Sequence, residues 1–407
     1  MKKTLKDVDV SGKRVLVRVD FNVPMDDELA GADGRVVDDT RIRAALPTIR
    51  YLMERQAKVI VLTHLGRPGG YVLESLRTDI VATRLADLLG APVTKVANCI
   101  GPEVVAAVRA MQPGQVLFLE NVRFHPGEVV NDARFAARLA EFADIFVNDA
   151  FASAHRVQAS TVGITRFLPA YPGLLMENEL EGLRGIRSVV KPPVVVLLGG
   201  FRLVDKANYM GHELQRDSRI LLGGVLANTF LRARGLDVGQ SEIEHEVLGI
   251  ARGLYANNPN HIELPVDVVV TDSAAPGARA RVVPVGSIPP TTCIVDIGPE
   301  TIHKYGHILE KAGTVIWNGP LGAFLKPDSF RGTESIARQI ASRTGAVRIV
   351  GGGETTAVLD RLGLAASVEY LSTGGAPFLT ALEGHPLPAV TALDENQVTP
   401  QPAETGA

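Results

Sequence analysis

The sequence predicts an α/β protein built as two doubly wound parallel-sheet (Rossmann-like) domains joined by a connecting helix and a hinge. Its 407 residues suit two domains of about 200 each. Along both halves, a short β-branched run is followed by a turn rich in Gly, Asp, Asn or His, then by a stretch with apolar residues at helical spacing. That alternation marks βαβ units around a parallel sheet buried on both faces. Between the halves, residues 173–190 carry Met176-Glu177-Asn178-Glu179-Leu180 and Leu183 at the spacing of one helix, which Lys191-Pro192-Pro193 then stops.

In chain order, the first half has apolar runs at 14–19, 59–62, 116–119 and 144–147, with helical stretches at 41–56 and 79–89. The second half has runs at 194–198, 219–222, 267–271, 315–317, 347–350 and 368–371, with helices expected to open near Thr355 and Phe378. The expected limits are a domain at 1–170, the connecting helix at 171–190 and a second domain at 191–393. The remainder, 394–407, is polar with two prolines and no periodicity, so it is expected to fray.

Composition narrows the function. A formal charge of -3 lacks the basic excess of a nucleic-acid binder. The two cysteines, Cys99 and Cys293, form no disulfide framework and have no metal-ligand spacing around them. The start, Met1-Lys2-Lys3-Thr4-Leu5-Lys6, lacks the apolar core of a signal peptide, and no run of about 18 apolar residues appears. The chain therefore reads as cytoplasmic, with no membrane partner.

In open parallel sheets, ligands sit beyond the carboxyl ends of the strands. In the first half those ends read Asp20-Phe21-Asn22-Val23-Pro24, His64-Leu65-Gly66-Arg67-Pro68, Glu120-Asn121-Val122-Arg123 and Asn148-Asp149-Ala150-Phe151, the last leading to His155-Arg156. Arg41 opens the first long helix. Arg41, Arg67, Arg123 and Arg156, with His64 and His155, can thus meet at one sheet edge. Guanidinium forks suit carboxylate and phosphate oxygens, so the pattern points to a small, multiply charged anion. Asp20 and Asn22 would bond its hydroxyls, and Arg18, inside the first strand, would pair a carboxylate beneath the site.

The second half ends its strands in glycine: Gly199-Gly200-Phe201-Arg202, Gly223-Gly224, Asn318-Gly319-Pro320-Leu321-Gly322, Gly351-Gly352-Gly353-Glu354-Thr355 and Ser372-Thr373-Gly374-Gly375-Ala376. Glycine lets backbone approach a phosphate, and a helix N-terminus offers N–H groups and a positive dipole end. No Walker P-loop occurs. The residues alone imply a phosphorylated ligand.

The segments 20–24, 64–68, 120–124, 147–151 with Ala154-His155-Arg156, and 317–322 resemble the phosphoglycerate kinase family in sequence and order, over about residues 5–390. The resemblance implies a phosphotransferase of glycolysis and gluconeogenesis, with 3-phosphoglycerate in the first domain, Mg-ATP or Mg-ADP in the second, hinge closure, and a monomer. It implies Asp20, Phe21, Asn22, Arg41, His64, Leu65, Gly66, Arg67, Arg123 and Arg156 as substrate contacts. It implies Lys206, Gly352, Gly353, Glu354 and Thr355 as nucleotide contacts, with Gly200, Arg202, Gly224, Asn318, Pro320 and Gly322 in the same crevice. Arg41, Arg202, Gly352 and Gly375 are the expected stabilisers of the transferring group, and Glu354 the expected Mg2+ ligand.

The nucleotide half departs from the family pattern. Gly-Gly-Ala-Lys becomes Gly-Gly-Phe-Arg, placing Arg202 where a lysine is expected. Leu325 replaces a glutamate that holds the ribose, Glu354 takes an aspartate position, and Ala376-Pro377 interrupt a glycine turn. These departures leave open a changed phosphoryl donor or acceptor, or a non-catalytic relative that binds the acidic ligand.

Overall fold

The computed structural model describes residues 4–25, 36–272, 280–323 and 330–394, without the side chain of Arg187. The chain divides into two compact units, one running to Glu181 and resuming at His385, the other spanning Gly182–Gly384.

The first unit holds six parallel strands: β1 (Arg14–Arg18), β2 (Lys58–Leu62), β3 (Val93–Lys95), β4 (Val116–Phe118), β5 (Ile145–Asn148) and β6 (Ala170–Pro172). They lie in the order β3-β4-β2-β1-β5-β6. Side chains alternate between the two faces. Val15, Val17, Val59 and Val61 join one buried cluster, while Leu16, Ile60, Leu62 and Phe146 join another. Arg14 Nε donates to Asp144 Oδ2 at 3.1 Å, and Asp144 N donates to Arg14 O at 2.8 Å. These bonds hold the first strand against the fifth.

The second unit has β7 (Val194–Leu198), β8 (Arg219–Leu222), β9 (Ile262–Glu263), β10 (Asp267–Thr271), β11 (Ala280–Pro284), β12 (Cys293–Ile297), β13 (Thr314–Asn318), β14 (Val347–Gly351) and β15 (Tyr370–Ser372). Six of them form the sheet β15-β14-β13-β7-β8-β9, parallel throughout. The run at 267–271, expected in this parallel sheet, instead centres a three-stranded antiparallel sheet, β11-β10-β12. An apolar run reports burial and not strand direction.

The connecting segment is one helix, Leu174–Arg187. Two expected limits differ from the packing. The strand Ala170–Pro172 belongs to the first sheet, so that unit runs past 170. The segment from His385, expected with the second domain, packs on the first. There the helix Pro388–Asp394 places Leu393 against the first unit's core, and Ala389 N donates to Ala154 O at 3.1 Å. Most of the expected tail, 395–407, lies outside the described residues.

Both sheets reverse direction of winding at one strand pair, β1 with β5 and β7 with β13. That is where ligands bind in such sheets.

Candidate functional site

At the first switch point the charged side chains are tied to one another. Asp20 Oδ1 accepts from Arg41 Nη1 at 2.7 Å, and Asp20 Oδ2 accepts from Ser153 Oγ at 2.6 Å. Burial works against ionisation of Asp20, but the charges of Arg41 and Arg18 and the Ser153 bond outweigh it and hold the carboxyl far below its usual range. Asn22 Oδ1 accepts from Gly66 N at 2.7 Å, and Gly66 O accepts from Arg123 Nη1 at 2.7 Å.

Arg18 and His64 form the floor. Arg18 Nη2 lies 3.0 Å from His64 Nδ1. Because guanidinium can only donate, Nδ1 is the acceptor and Nε2 carries the ring proton. Burial, with the Arg18, Arg123 and Arg156 charges, pushes the His64 pKa well below its ordinary value. His64 is therefore a neutral donor at physiological pH. Arg18 Nε donates to Ser160 Oγ at 2.8 Å, and Ser160 Oγ donates to Glu128 Oε1 at 2.6 Å. Arg18, Ser160 and Glu128 are all wholly buried. The carboxylate expected beneath Arg18 is thus Glu128, reached through a serine. Neither Ser160 nor Ser153 was legible beforehand, since each acts across more than 100 residues.

Arg123 is the telling group. It is buried, and its Nε and Nη2 have no hydrogen-bond partner among the described residues. Burial and the neighbouring Arg156 and Arg18 charges lower its pKa to about 10, so it remains a cation at neutral pH. A buried charge with unmet donors is costly until an anion arrives.

The other expected residues fall unevenly. Arg156 acts on both His64 and Arg123, while Arg67 is exposed on the loop after β2. Phe21 and Leu65 turn their side chains into the core, so only their backbone could face a ligand. Glu120 is structural: it accepts from Thr78 N at 3.0 Å at the start of the helix Asp79–Leu89 and pairs with Lys95 at 2.9 Å.

At the second switch point the contacts are backbone to backbone. Gly199 N donates to Asn318 O at 3.0 Å, Gly200 N to Pro320 O at 2.8 Å, and Gly224 N to Leu321 O at 2.8 Å. A Cβ on Gly319 would collide with Gly199 O, at a φ of +93°. On Gly224 it would lie 2.7 Å from Gly200 N, at +59°. These glycines fit the turns against one another, a role that their letters alone do not separate from phosphate binding. Gly322 likewise packs against Asp296. Asn318 Nδ2 donates to Gly351 O at 2.7 Å, and Thr355 Oγ1 accepts from Gly319 N at 2.8 Å.

Helix starts face the same turns. Gly352 precedes the helix Gly353–Arg361, and Gly375 precedes Ala376–Glu383 with open space where its Cβ would be. Ala376-Pro377, expected to interrupt this turn, open the helix instead, because proline is tolerated where no N–H is needed. Lys206 is buried, and its Nζ donates to Gly199 O at 2.5 Å and Phe201 O at 2.9 Å. Two of its three donors thus hold the turn. Burial lowers its pKa to about 8 despite nearby Glu354, Glu244 and Asp205.

Arg202 adopts a left-handed conformation (φ 70°) and pairs with Asp205 at 2.5 Å. Its N–H and that of Leu203 donate to Glu244 at 2.9 Å. Sequence reading missed that cap, which lies 42 residues from Arg202. Leu325 lies outside the described residues.

Among the described residues no group of three or more His, Cys, Asp or Glu is placed to hold a metal ion. Glu354, at the start of its helix, has Oε2 3.6 Å from where a Gly200 Cβ would stand. Mg2+ carried by nucleotide phosphates needs only one or two carboxylates, so this single group fits such an ion.

The family model "Phosphoglycerate kinase" matches residues 5–385. Phosphoglycerate kinase of Pelotomaculum thermopropionicum is 48% identical over 395 residues, covering 96% of this chain and 99% of that protein. That of Thermomicrobium roseum is 47% identical over 396 residues, covering 97% and 99%. Among solved structures, phosphoglycerate kinase from Pyrococcus horikoshii matches with a TM-score of 0.81 at 32% identity, covering 96% of this chain and 98% of that one. The enzyme from Coxiella burnetii matches with 0.67 at 36%, covering 97% and 99%.

Proposed function

The chain belongs to the phosphoglycerate kinase family, and from that membership we propose how its residues divide the reaction. It is a phosphotransferase with a carboxyl group as acceptor, moving a phosphoryl group reversibly between 1,3-bisphosphoglycerate with ADP and 3-phosphoglycerate with ATP. In this reading the first unit holds the acidic substrate and the second holds the nucleotide. The observation that carries the first assignment is Arg123, a buried cation with two unmet donors beside Arg18, Arg156 and neutral His64. A phosphorylated carboxylate supplies both the missing charge and the missing acceptors.

A carboxyl group in water loses its proton at about pH 4, so the acceptor is already ionised at neutral pH and no general base is needed. The barrier is electrostatic: negative charge must be brought together and spread. Arg41 contributes a guanidinium at the substrate end. The helix starts after Gly352 and at Gly375 contribute oriented N–H groups, and Arg202 contributes charge at the nucleotide end. Glu354 would help hold Mg2+, which neutralises phosphate charge when bound. Transfer also requires the two ligands' reacting atoms to meet, and closure around them would exclude water. Scattering curves that change only when both ligands are present support that step, and curves unchanged by the pair count against it. We place the enzyme in the cytoplasm as a monomer. No described helix is long and apolar enough to cross a membrane.

A coupled assay with 3-phosphoglycerate and Mg2+ against ATP, GTP and pyrophosphate tests the reading. Turnover with ATP is expected. Turnover with pyrophosphate alone would assign a changed donor, and none with any would leave a binding protein.

A further inference from the structure

On the helix Pro299–Leu309, remote in sequence from the glycine turns just described, His303 and His307 project side by side into solvent. Both are exposed. Their Nε2 atoms stand 2.9 Å apart, and His307 Nδ1 lies 3.3 Å from Glu310 Oε2. We propose that this pair is a surface site for a divalent transition-metal ion of the copper or nickel class, with water filling the remaining positions.

The spacing is helical: histidines four apart share one face, the arrangement by which helices chelate metal. Ionised Glu310 only accepts, so His307 Nδ1 carries the proton and its Nε2 presents a lone pair. A carboxylate behind a ligating imidazole fixes the tautomer and raises ligand basicity. In the metal-free pair, His303 Nε2 must then be the donor. On metal binding its proton moves to His303 Nδ1 through water, and both Nε2 lone pairs face the ion with no net change in protonation.

The distance also selects the geometry. With metal–nitrogen bonds of about 2.0–2.1 Å, a 2.9 Å separation encloses an angle of about 90° at the metal, whereas a tetrahedral ion needs about 3.3 Å. A right angle is that of tetragonal or square-planar Cu2+ and Ni2+. Nothing in the proposal depends on the reading of the kinase site, so the two can fail separately.

The test is titration of the whole protein with Ni2+ by calorimetry, with Zn2+ in parallel, and electron paramagnetic resonance of the Cu2+ adduct. One equivalent of Ni2+ is expected to bind, and the Cu2+ spectrum should show two imidazole nitrogens. Saturable binding should disappear in His303→Ala and His307→Ala, which keep full phosphotransfer activity as proof of folding. Glu310→Gln should weaken it about tenfold. Unchanged Ni2+ affinity in either histidine variant, or Zn2+ binding tighter than Ni2+, overturns the proposal.

Discussion

At the first switch point, guanidinium, imidazole and carboxylate groups from different strand ends are bonded to one another, as in Arg41–Asp20–Ser153 and Glu128–Ser160–Arg18–His64. At the second, turns meet through their own N–H and C=O groups, as in Gly199–Asn318 and Gly200–Pro320, and the single buried ammonium, Lys206, holds carbonyls. Charge is therefore stored in side chains in one unit and in oriented backbone in the other. A side-chain site tolerates exchange of its frame but not of its charges. A backbone site tolerates exchange of its charges but not the addition of a Cβ.

The largest expected effect lies on the side-chain half. Arg41→Ala should lower kcat/KM by about 2–4 kcal/mol, by analogy with a lost oxyanion donor, since it removes both a stabiliser and the partner of Asp20. Unchanged kinetics would take Arg41 out of the site.

On the backbone half, Gly319→Ala should cost about 3 kcal/mol of stability through left-handed strain and a clash with Gly199 O. Gly375→Ala, with nothing near its Cβ, should be close to neutral. Similar melting temperatures for the two variants would undo the distinction between the glycines.

The junction offers a pH test. Asp149 Oδ1 accepts from Met176 N at 3.2 Å at the start of the connecting helix, and burial raises its pKa to about 6. A raised folded-state pKa favours the protonated form, so its stabilising contribution is complete below the unfolded value of about 3.9 and is lost as pH rises through about 6. Asp149→Asn should therefore raise stability by about 2 kcal/mol at pH 8 and by little at pH 4, read as melting temperatures. A gain that is equal at both pH values contradicts the assignment.

The smallest effect should come from Arg202→Lys. Its pair with Asp205 spans three residues and is partly exposed, worth only about 0.3–0.5 kcal/mol, and a lysine keeps the charge. Turnover falling as far as in Arg202→Ala would show that the planar head is specifically required.

Much of this was legible in the sequence, and unevenly so. The strands Val194–Leu198 and Arg219–Leu222 and the helix Asp79–Leu89 lie where the apolar pattern puts them, because burial on both faces of a parallel sheet demands continuous β-branched runs. The strands Val93–Lys95 and Ile262–Glu263 are too short to make a run. The basic groups of the first site could be listed from strand ends alone. The Glu128–Ser160 support under Arg18 could not, since contact across the fold leaves no local trace. Glycine was the ambiguous letter: Gly319 and Gly375 read alike, yet one is enclosed by backbone and the other is open.

The most direct measurement is the thermal stability of Arg123→Met, with and without 3-phosphoglycerate. If Arg123 is a buried cation awaiting an anion, the variant should melt higher than the parent without ligand and gain almost nothing when ligand is added, while the parent gains several degrees. A variant that melts lower without ligand, or that keeps the parent's full ligand-induced rise, contradicts the account.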